Sequence, residues 1–457
     1  MKKIVCIGAG ASGIIAALHL VEQDFNAQII LLGEAPGPAY STPEPYHILN
    51  VTARNMSAFA SDPLHFHRFA EGCLGHPDLS HEAFVARKVF REYLEMLLEE
   101  LQQRGVQYIK DQAIALSCTH PGYRIETTVS GSIEADGVVL AMGNFPAASL
   151  PGGETLAPEQ YIAVPWNKNI AEGLDPAAEV LFVGTGLTMI DGATTLAHYG
   201  HKGSVMALSR RGLLPLARTI VDPLPMSMEE LSADSVTRLM HKLRQMAQDQ
   251  MQRGEPWDRV IDGIRPFLQP LWTGFNRVEQ KRFLRHASVY WDIHRHRIPQ
   301  ESADVLASLL ASAQLHVMAA RLIELNQKGS RVEVSLRRRG QNAIERISVD
   351  CVINCTGPVA DYHRVDSPLL RSLFASGLAR PHPLKLGFDA TPEGKLYNAD
   401  GIAQDTLRTL GPPLKGVLWE SIAVPEIRAE AATLAKALEA TFREQPELSV
   451  KKGEGES

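Results

Sequence analysis

The chain has 457 residues, more than one ordinary compact core accommodates, so two or three domains are expected. Apolar residues make up 45% and charged residues 21%, the composition of a folded globular protein rather than a disordered one. With 46 basic against 52 acidic side chains, the formal net charge of −6 gives no electrostatic reason to expect a nucleic-acid or membrane-surface partner.

The elements, taken in chain order, begin with a β-rich run from Lys2 to Ile7. Glycines break the apolar run at Gly8 and Gly10, so it is not a signal-peptide core, and no stretch approaches the roughly twenty apolar residues that span a bilayer. A helix-prone run, Ile14 to Val21, and a second strand, Gln28 to Leu32, complete one βαβ unit. Residues 35 to 80, rich in Pro, His, Ser and Asn, read as ordered loop with short helices. Glu82 to Arg104 has apolar residues at spacings of three and four, an amphipathic helix ended by Gly105. Strands follow around residues 106–109, 123–129 and 137–141. A second strand–glycine–helix unit opens at Glu179, with its next strand at Ser204 to Leu208. Residues 226–299 turn rich in Met, Gln, Arg and Trp, with long helical patterns: a helical insertion. Sheet-like sequence returns at 314–325, 331–337 and 347–354, and a last helix, Pro425 to Arg443, precedes a polar tail expected to fray.

Gly8-Ala9-Gly10-Ala11-Ser12-Gly13 is a G-x-G-x-x-G turn placed after a strand and before a helix. The first glycine permits the tight turn, the second lets the backbone approach a pyrophosphate, and the third permits close helix–strand packing. Glu34, twenty-one residues past Gly13 at the end of the second strand, has the spacing to hold ribose hydroxyls. The second copy, Gly184-Thr185-Gly186-Leu187-Thr188, has Met189 in the third glycine position, so looser helix packing is expected there. Its following strand ends in Ser209-Arg210-Arg211-Gly212, a grouping that suits a 2′-phosphate and so favours NADPH over NADH; a solvated basic turn is the alternative. Two dinucleotide sites in one chain imply electron traffic between two cofactors, FAD at the first and NADPH at the second. The fold class expected is α/β: two Rossmann-like dinucleotide-binding domains, one inserted in the other. The boundaries expected are 1–165 with 350–457 for FAD, and 175–225 with 300–349 for NADPH.

Several segments are similar to the bacterial FAD/NAD(P)-binding flavoprotein family. They are Gly37-Pro38-Ala39-Tyr40-Ser41, His47-Ile48-Leu49-Asn50-Val51 with Met56-Ser57, the second glycine turn with Asp191, and Ser209 to Gly212. Further on come Trp291-Asp292-Ile293-His294-Arg295-His296-Arg297, Leu410-Gly411-Pro412-Pro413, and Trp419-Glu420 with Val424-Pro425-Glu426-Ile427-Arg428. The resemblance runs from about residue 4 to about residue 440. The family is related to N-hydroxylating and Baeyer–Villiger-type monooxygenases and to pyridine nucleotide–disulfide reductases, and it implies oxygenation of the amine of a small amino acid as one chemistry. Gly143 and Thr356-Gly357 resemble the segments where the chain of such proteins crosses between domains, with Cys355 replacing an alanine. The resemblance also implies that Gly411, Glu420, Ser421 and the start of the last helix approach the flavin.

The chemistry divides on the cysteines. Cys6, Cys73, Cys118, Cys351 and Cys355 include no C-x-x-C pair, which fits a reduced, cytoplasmic chain and argues against a disulfide reductase. Cys351 and Cys355 share a strand face, as core residues rather than a redox pair. The Baeyer–Villiger signature is also incomplete, since residues 161–166 keep only its terminal aromatic, Trp166. An oxygenase needs a dry, closed pocket, which the loop carrying His47, Asn50 and Met56 could wall; His47 reads equally as a packed loop histidine. His294, Arg295, His296 and Arg297 form the densest cationic cluster, either a clamp for a substrate carboxylate or phosphate or an internal ion-pair network. No metal site is expected. The function expected is NADPH-dependent flavin oxidoreduction with a small-molecule substrate, an N-oxygenase first. A flavin reductase, or a redox-sensing flavoprotein that docks a protein through residues 226–290, is the alternative, and a homo-oligomer stays open.

Overall fold

The computed structural model describes residues 1–23, 26–119, 121–166 and 169–444 of the chain; the polar tail expected to fray lies outside them. Two parallel sheets dominate. The first orders its strands β15-β16-β7-β1-β2-β3: β1 (Lys2–Ile7), β2 (Ala27–Leu32), β3 (Gln107–Ile109), β7 (Gly137–Leu140), β15 (Lys395–Tyr397) and β16 (Ala403–Thr409). All neighbours are parallel except the β15–β16 pair. A separate antiparallel sheet, β4 (Ala113–Cys118), β5 (Tyr123–Thr127) and β6 (Ser132–Ala135), covers one face.

The second sheet runs β13-β12-β11-β10-β9-β14-β8. Its strands are β8 (Tyr161–Ile162), β9 (Val180–Val183), β10 (Val205–Ser209), β11 (Leu315–Lys328), β12 (Arg331–Arg338), β13 (Glu345–Val349) and β14 (Cys351–Asn354). The parallel part, β11-β10-β9-β14-β8, repeats the β3-β2-β1-β7-β16 order of the first sheet. In both, strand order reverses beside the strand that feeds the glycine turn, which is where open α/β sheets bind nucleotides. The single strand read at residues 347–354 is two strands, because Asp350 turns the chain and its N–H bonds to Glu179. Both β8 and β14 therefore belong to the second sheet, although the sequence-based division ended that unit at residue 349.

Helices fill the layers: α1 (Ala11–Val21), α2 (His65–Leu74), α3 (Arg87–Gln103), α4 (Leu187–His198), α11 (Gln300–Ala311), α12 (Pro368–Ala375) and α13 (Val424–Arg443). The insertion supplies α5 (Met228–Leu231), α6 (Val236–Gln252), α7 (Asp258–Gly263), α8 (Leu268–Gly274), α9 (Arg277–Arg282) and α10 (Ser288–Arg295). Helices α1, α3 and α13 pack one face of the first sheet around Ile14, Tyr93 and Leu438. Helix α3 starts at Arg87, later than the periodicity suggests, because Leu49 N–H bonds Val85 and Arg87 N–H bonds the His47 carbonyl, holding residues 85–87 extended. No described helix is long and apolar enough to cross a membrane.

On α4 the close approach to the sheet is moved by one turn. Met189 is wholly buried, and Gly192 lies where an added methyl would sit 2.7 Å from the Phe182 ring. Tight packing is therefore kept without the third glycine of the motif. Gly192→Ala should destabilise the protein by about 1–3 kcal/mol through overpacking, read as a lowered urea midpoint at unchanged slope.

Candidate functional site

Each glycine turn is closed by a carbonyl of the neighbouring strand. A methyl on Gly8 would lie 2.3 Å from the Ala141 carbonyl oxygen, and one on Gly184 would lie 2.0 Å from that of Cys355. Gly13 leaves still less room, 1.7 Å to the Gly8 carbonyl oxygen. The N-caps Gly10 and Gly186 are extended, no side chain caps either helix, and neither first turn holds an acid. Around Gly186, Gly143 and Gly357 a methyl would meet nothing within 4 Å. Bare N–H groups at a helix start with open space above them form an anion cradle, and the residues here fit a dinucleotide pyrophosphate.

Other parts of the chain converge on the first cradle. Gly37 packs on Gly10, and Glu34 stands exposed at the strand end beside it, within 3.8 Å of Lys110. Gly411 abuts Ser12, which is buried, so the segment 411–421 lies against the start of α1. Glu430 of α13 holds that segment: its carboxylate accepts from Gly411 N–H at 2.8 Å and from Ser421 Oγ at 2.7 Å. Burial of Glu430, with two donors and no cation, pushes its carboxyl up to about 7. This residue carries no sequence signal beyond its place on an amphipathic helix.

At the second cradle, Thr185 Oγ1 donates to Ser209 Oγ at 2.9 Å, and Ser209 Oγ also accepts from Gly212 N–H at 2.9 Å. Ser209 thus builds the turn instead of presenting a free hydroxyl. Arg210 is exposed with no acidic partner among the described residues, and Arg211 stacks 4.8 Å from the Tyr290 ring centroid, so both guanidinium groups remain available to an anion.

The loop between the cradles departs from expectation. His47 is buried with both ring nitrogens engaged: Nδ1 with Thr42 Oγ1 at 2.7 Å, Nε2 with Thr195 Oγ1 at 2.8 Å and the Asp191 carbonyl at 3.2 Å. It ties the loop to α4 as a packed residue. Burial, reinforced by the Arg87 cation, lowers its pKa to about 4. Met56 is core. Asn50 is half-buried with no side-chain partner among the described residues and stays a candidate. Beside His47, Arg87 of the first unit pairs with Asp191 of the second at 2.7 Å, and the guanidinium covers Trp166 at 5.0 Å. Burial pushes Asp191 up to about 6 against the pull of Arg87.

The cationic cluster does not converge on one ligand. Arg297, wholly buried, is paired with Asp258 and Asp262 of α7. Arg295 and His296 face Glu420, at 3.4 Å and 3.6 Å, and Trp291 donates to the same carboxylate at 2.9 Å. His294 bonds the Tyr290 carbonyl of its own helix. The ion-pair alternative is the one realised, because burial in the insertion leaves these cations costly unless paired. Glu420 has a left-handed backbone, φ 71°, a conformation costing a non-glycine residue about 1–3 kcal/mol. Its three partners from the insertion hold it there.

Two parallel nucleotide folds, each with a bare glycine cradle at its switch point, define the molecule as of the two-dinucleotide flavoprotein architecture. The chain carries an FAD-NAD(P)-binding domain: that family's model matches residues 5–145. The structure is similar to an ornithine N-hydroxylase of Kutzneria sp. 744 in complex with reduced FAD, NADP+ and L-ornithine (TM-score 0.70, 13% identity, 97% of this chain and 100% of that chain). It is similar to the FAD-bound cadaverine monooxygenase of desferrioxamine biosynthesis from Erwinia amylovora (TM-score 0.68, 13% identity, 100% of this chain and 99% of that chain). It is also similar, less closely, to the bacillithiol disulfide reductase of Staphylococcus aureus (TM-score 0.57, 13% identity, 96% and 99%). At such identities the likeness is one of fold. No curated protein matches the chain in sequence.

Two outcomes follow. Arg87→Met strands the buried Asp191 carboxylate and should cost about 3 kcal/mol; urea unfolding measures this, and Asp191→Asn in the same chain should recover part of it. Glu430 binds its proton more tightly folded than unfolded, so its contribution is full below about pH 4.3 and is lost as pH rises through about 7. Glu430→Gln should therefore flatten the decline in melting temperature across that window.

Proposed function

We propose that this protein is an FAD-dependent oxidoreductase that draws hydride from NADPH and places one oxygen atom on the amine of a small substrate. The observation that carries the reading is the pairing of two nucleotide cradles in one chain with no accessible cysteine pair. Disulfide reductases of this architecture need one, because the thiolate must meet both flavin and substrate. Here Cys6, Cys351 and Cys355 are buried, and burial pushes the Cys6 thiol up to about 12 and that of Cys355 higher still. The likeness to amine N-hydroxylases supports the same reading. Five cysteines and no disulfide among the described residues suit a cytoplasmic setting.

Bound FAD would supply the hydride acceptor and the oxygen-reactive centre. The chain does the rest. The start of α1 holds the FAD pyrophosphate, Glu34 the ribose, and the 411–421 segment, set by Glu430, the flavin end. The start of α4 with Gly186 and Thr188 takes the pyrophosphate of NADPH, and Arg210 and Arg211 take its 2′-phosphate. The balance is one O2, one NADPH, one proton and the amine giving water, NADP+ and the hydroxylamine. The docking alternative draws no support from the insertion. Its exposed apolar residues, Met228, Met251, Val278 and Tyr290, fall one each on α5, α6, α9 and α10.

Stopped-flow mixing of the oxygen-free yellow protein with NADPH or NADH tests this directly. NADPH should bleach the flavin roughly ten-fold faster than NADH at equal subsaturating concentration, and Arg210→Ala with Arg211→Ala should erase the difference. Admitting oxygen with an amine panel should yield hydroxylamine. Peroxide alone with every amine would leave a reductase, and no bleaching by either nucleotide would sink the reading.

A further inference from the structure

The FAD unit grips α4 along most of its length. Thr188, Asp191 and Thr195 recur at spacings of three and four and so share one face of that helix. Arg87, the first residue of α3, pairs with Asp191 at 2.7 Å, and His47 Nε2 stands 2.8 Å from Thr195 Oγ1 and 3.2 Å from the Asp191 carbonyl. Further along, the Tyr46 ring stacks on His198 with centroids 3.6 Å apart, and Glu44 accepts from Tyr199 Oη at 3.3 Å. Arg87 N–H bonds the His47 carbonyl at 2.8 Å, so the loop and α3 act on α4 as one connected set. At the other end the set reaches the second cradle: Thr188 lines a cavity of only about 10 Å3, room for a single water, together with His47, Asp191 and Trp166.

We infer that Arg87, His47 and Asp191 are positioning residues for hydride transfer: they fix the start of α4 against the FAD unit and thereby set how far the nicotinamide of NADPH reaches toward the flavin. The inference rests on the hydride-transfer half of the function proposed above. The N–H groups at the start of α4 are the ligand for the NADPH pyrophosphate, so a displacement of the helix passes to the nicotinamide one ribose away. Hydride transfer turns the dihydronicotinamide into NADP+ and reduces the flavin. It needs the reacting atoms about 3–3.5 Å apart, and a misplacement of about 1 Å can cost roughly a hundred-fold in rate. The charges favour one seating of the helix. Burial holds His47 neutral, its pKa lowered to about 4, while Asp191, pushed up to about 6, is ionised at neutral pH. No imidazolium therefore competes with Arg87 for the carboxylate. Cys355, which also faces Asp191, stays a neutral thiol because burial raises its pKa. A seating that parts Arg87 from Asp191 leaves a buried carboxylate without its cation, which is costly.

The test is stopped-flow reduction of the FAD-loaded full chain in the absence of oxygen. Arg87→Met combined with Asp191→Asn removes the ion pair without stranding a charge. Its limiting rate at saturating NADPH should fall at least roughly ten-fold, while the half-saturating concentration moves by less than about two-fold. Arg87→Lys, which keeps the cation, should retain most of the rate. N-benzyl-dihydronicotinamide, a hydride donor with no phosphate for α4 to hold, should bleach the double variant at the wild-type rate. If the double variant does not fold, Thr195→Val, which deletes only the hydroxyl facing His47, should slow reduction by NADPH roughly three-fold and decides alone. A limiting rate equal to wild type, a change confined to the half-saturating concentration, or equal slowing with both donors would overturn the inference and leave the proposed function standing. A wild-type flavin that NADPH does not bleach would overturn both.

Discussion

At Gly8 and at Gly184 the chain turns with a positive φ so close to the next strand that no side chain fits, and much of the architecture follows from those two contacts. The facing residues, Ala141 and Cys355, immediately follow the strands β7 and β14. Each contact fixes where a strand stops, where a helix begins, and how far its first N–H groups stand from the sheet. A dinucleotide needs that distance short, because the backbone itself is the phosphate ligand. The repetition of one steric constraint in two sheets of like strand order is why the molecule has two sites of like shape.

The two units are then held in register by contacts of a different kind. Arg87 to Asp191, Arg265 to Glu426 and the insertion's grip on Glu420 each join parts far apart in sequence through a partly or wholly buried charge. Such pairs add little net stability, since desolvation offsets most of their attraction. Their effect is specificity of arrangement: an alternative packing would leave a charge buried alone. The left-handed Glu420 fits this description, because its backbone cost is met by partners that only the docked insertion provides.

Much of the frame was legible in the sequence. Both glycine turns, the helical insertion and the last helix follow from local pattern and punctuation, and their physical causes are local. What was not legible depends on partners distant in sequence. His47, Arg295 and Arg297 have the residue types of a binding site, and only tertiary structure shows His47 held by hydrogen bonds and the two arginines facing carboxylates. Arg87 and Glu430 sit on amphipathic helices among many similar charges, and nothing nearby marks the one that meets a distant partner. The boundary near residue 350 failed for a related reason: the β-prone sequence of β13 and β14 is continuous except at Asp350, and the turn there depends on Glu179.

The first sheet is finished by strand β16 beside β7 and by α13 against α1, although almost the whole second unit lies between in sequence. During synthesis β1, β2 and β7 must therefore wait tens of seconds for their last neighbours to leave the ribosome. Over that interval β7, four apolar residues ending at Leu140, presents an unpaired edge of the type that recruits other chains. The second unit, whose described strands all emerge between residues 161 and 354, can close meanwhile. Translation order thus makes the unit that starts first the last to be completed, with the apolar edge of β7 uncovered until β16 arrives.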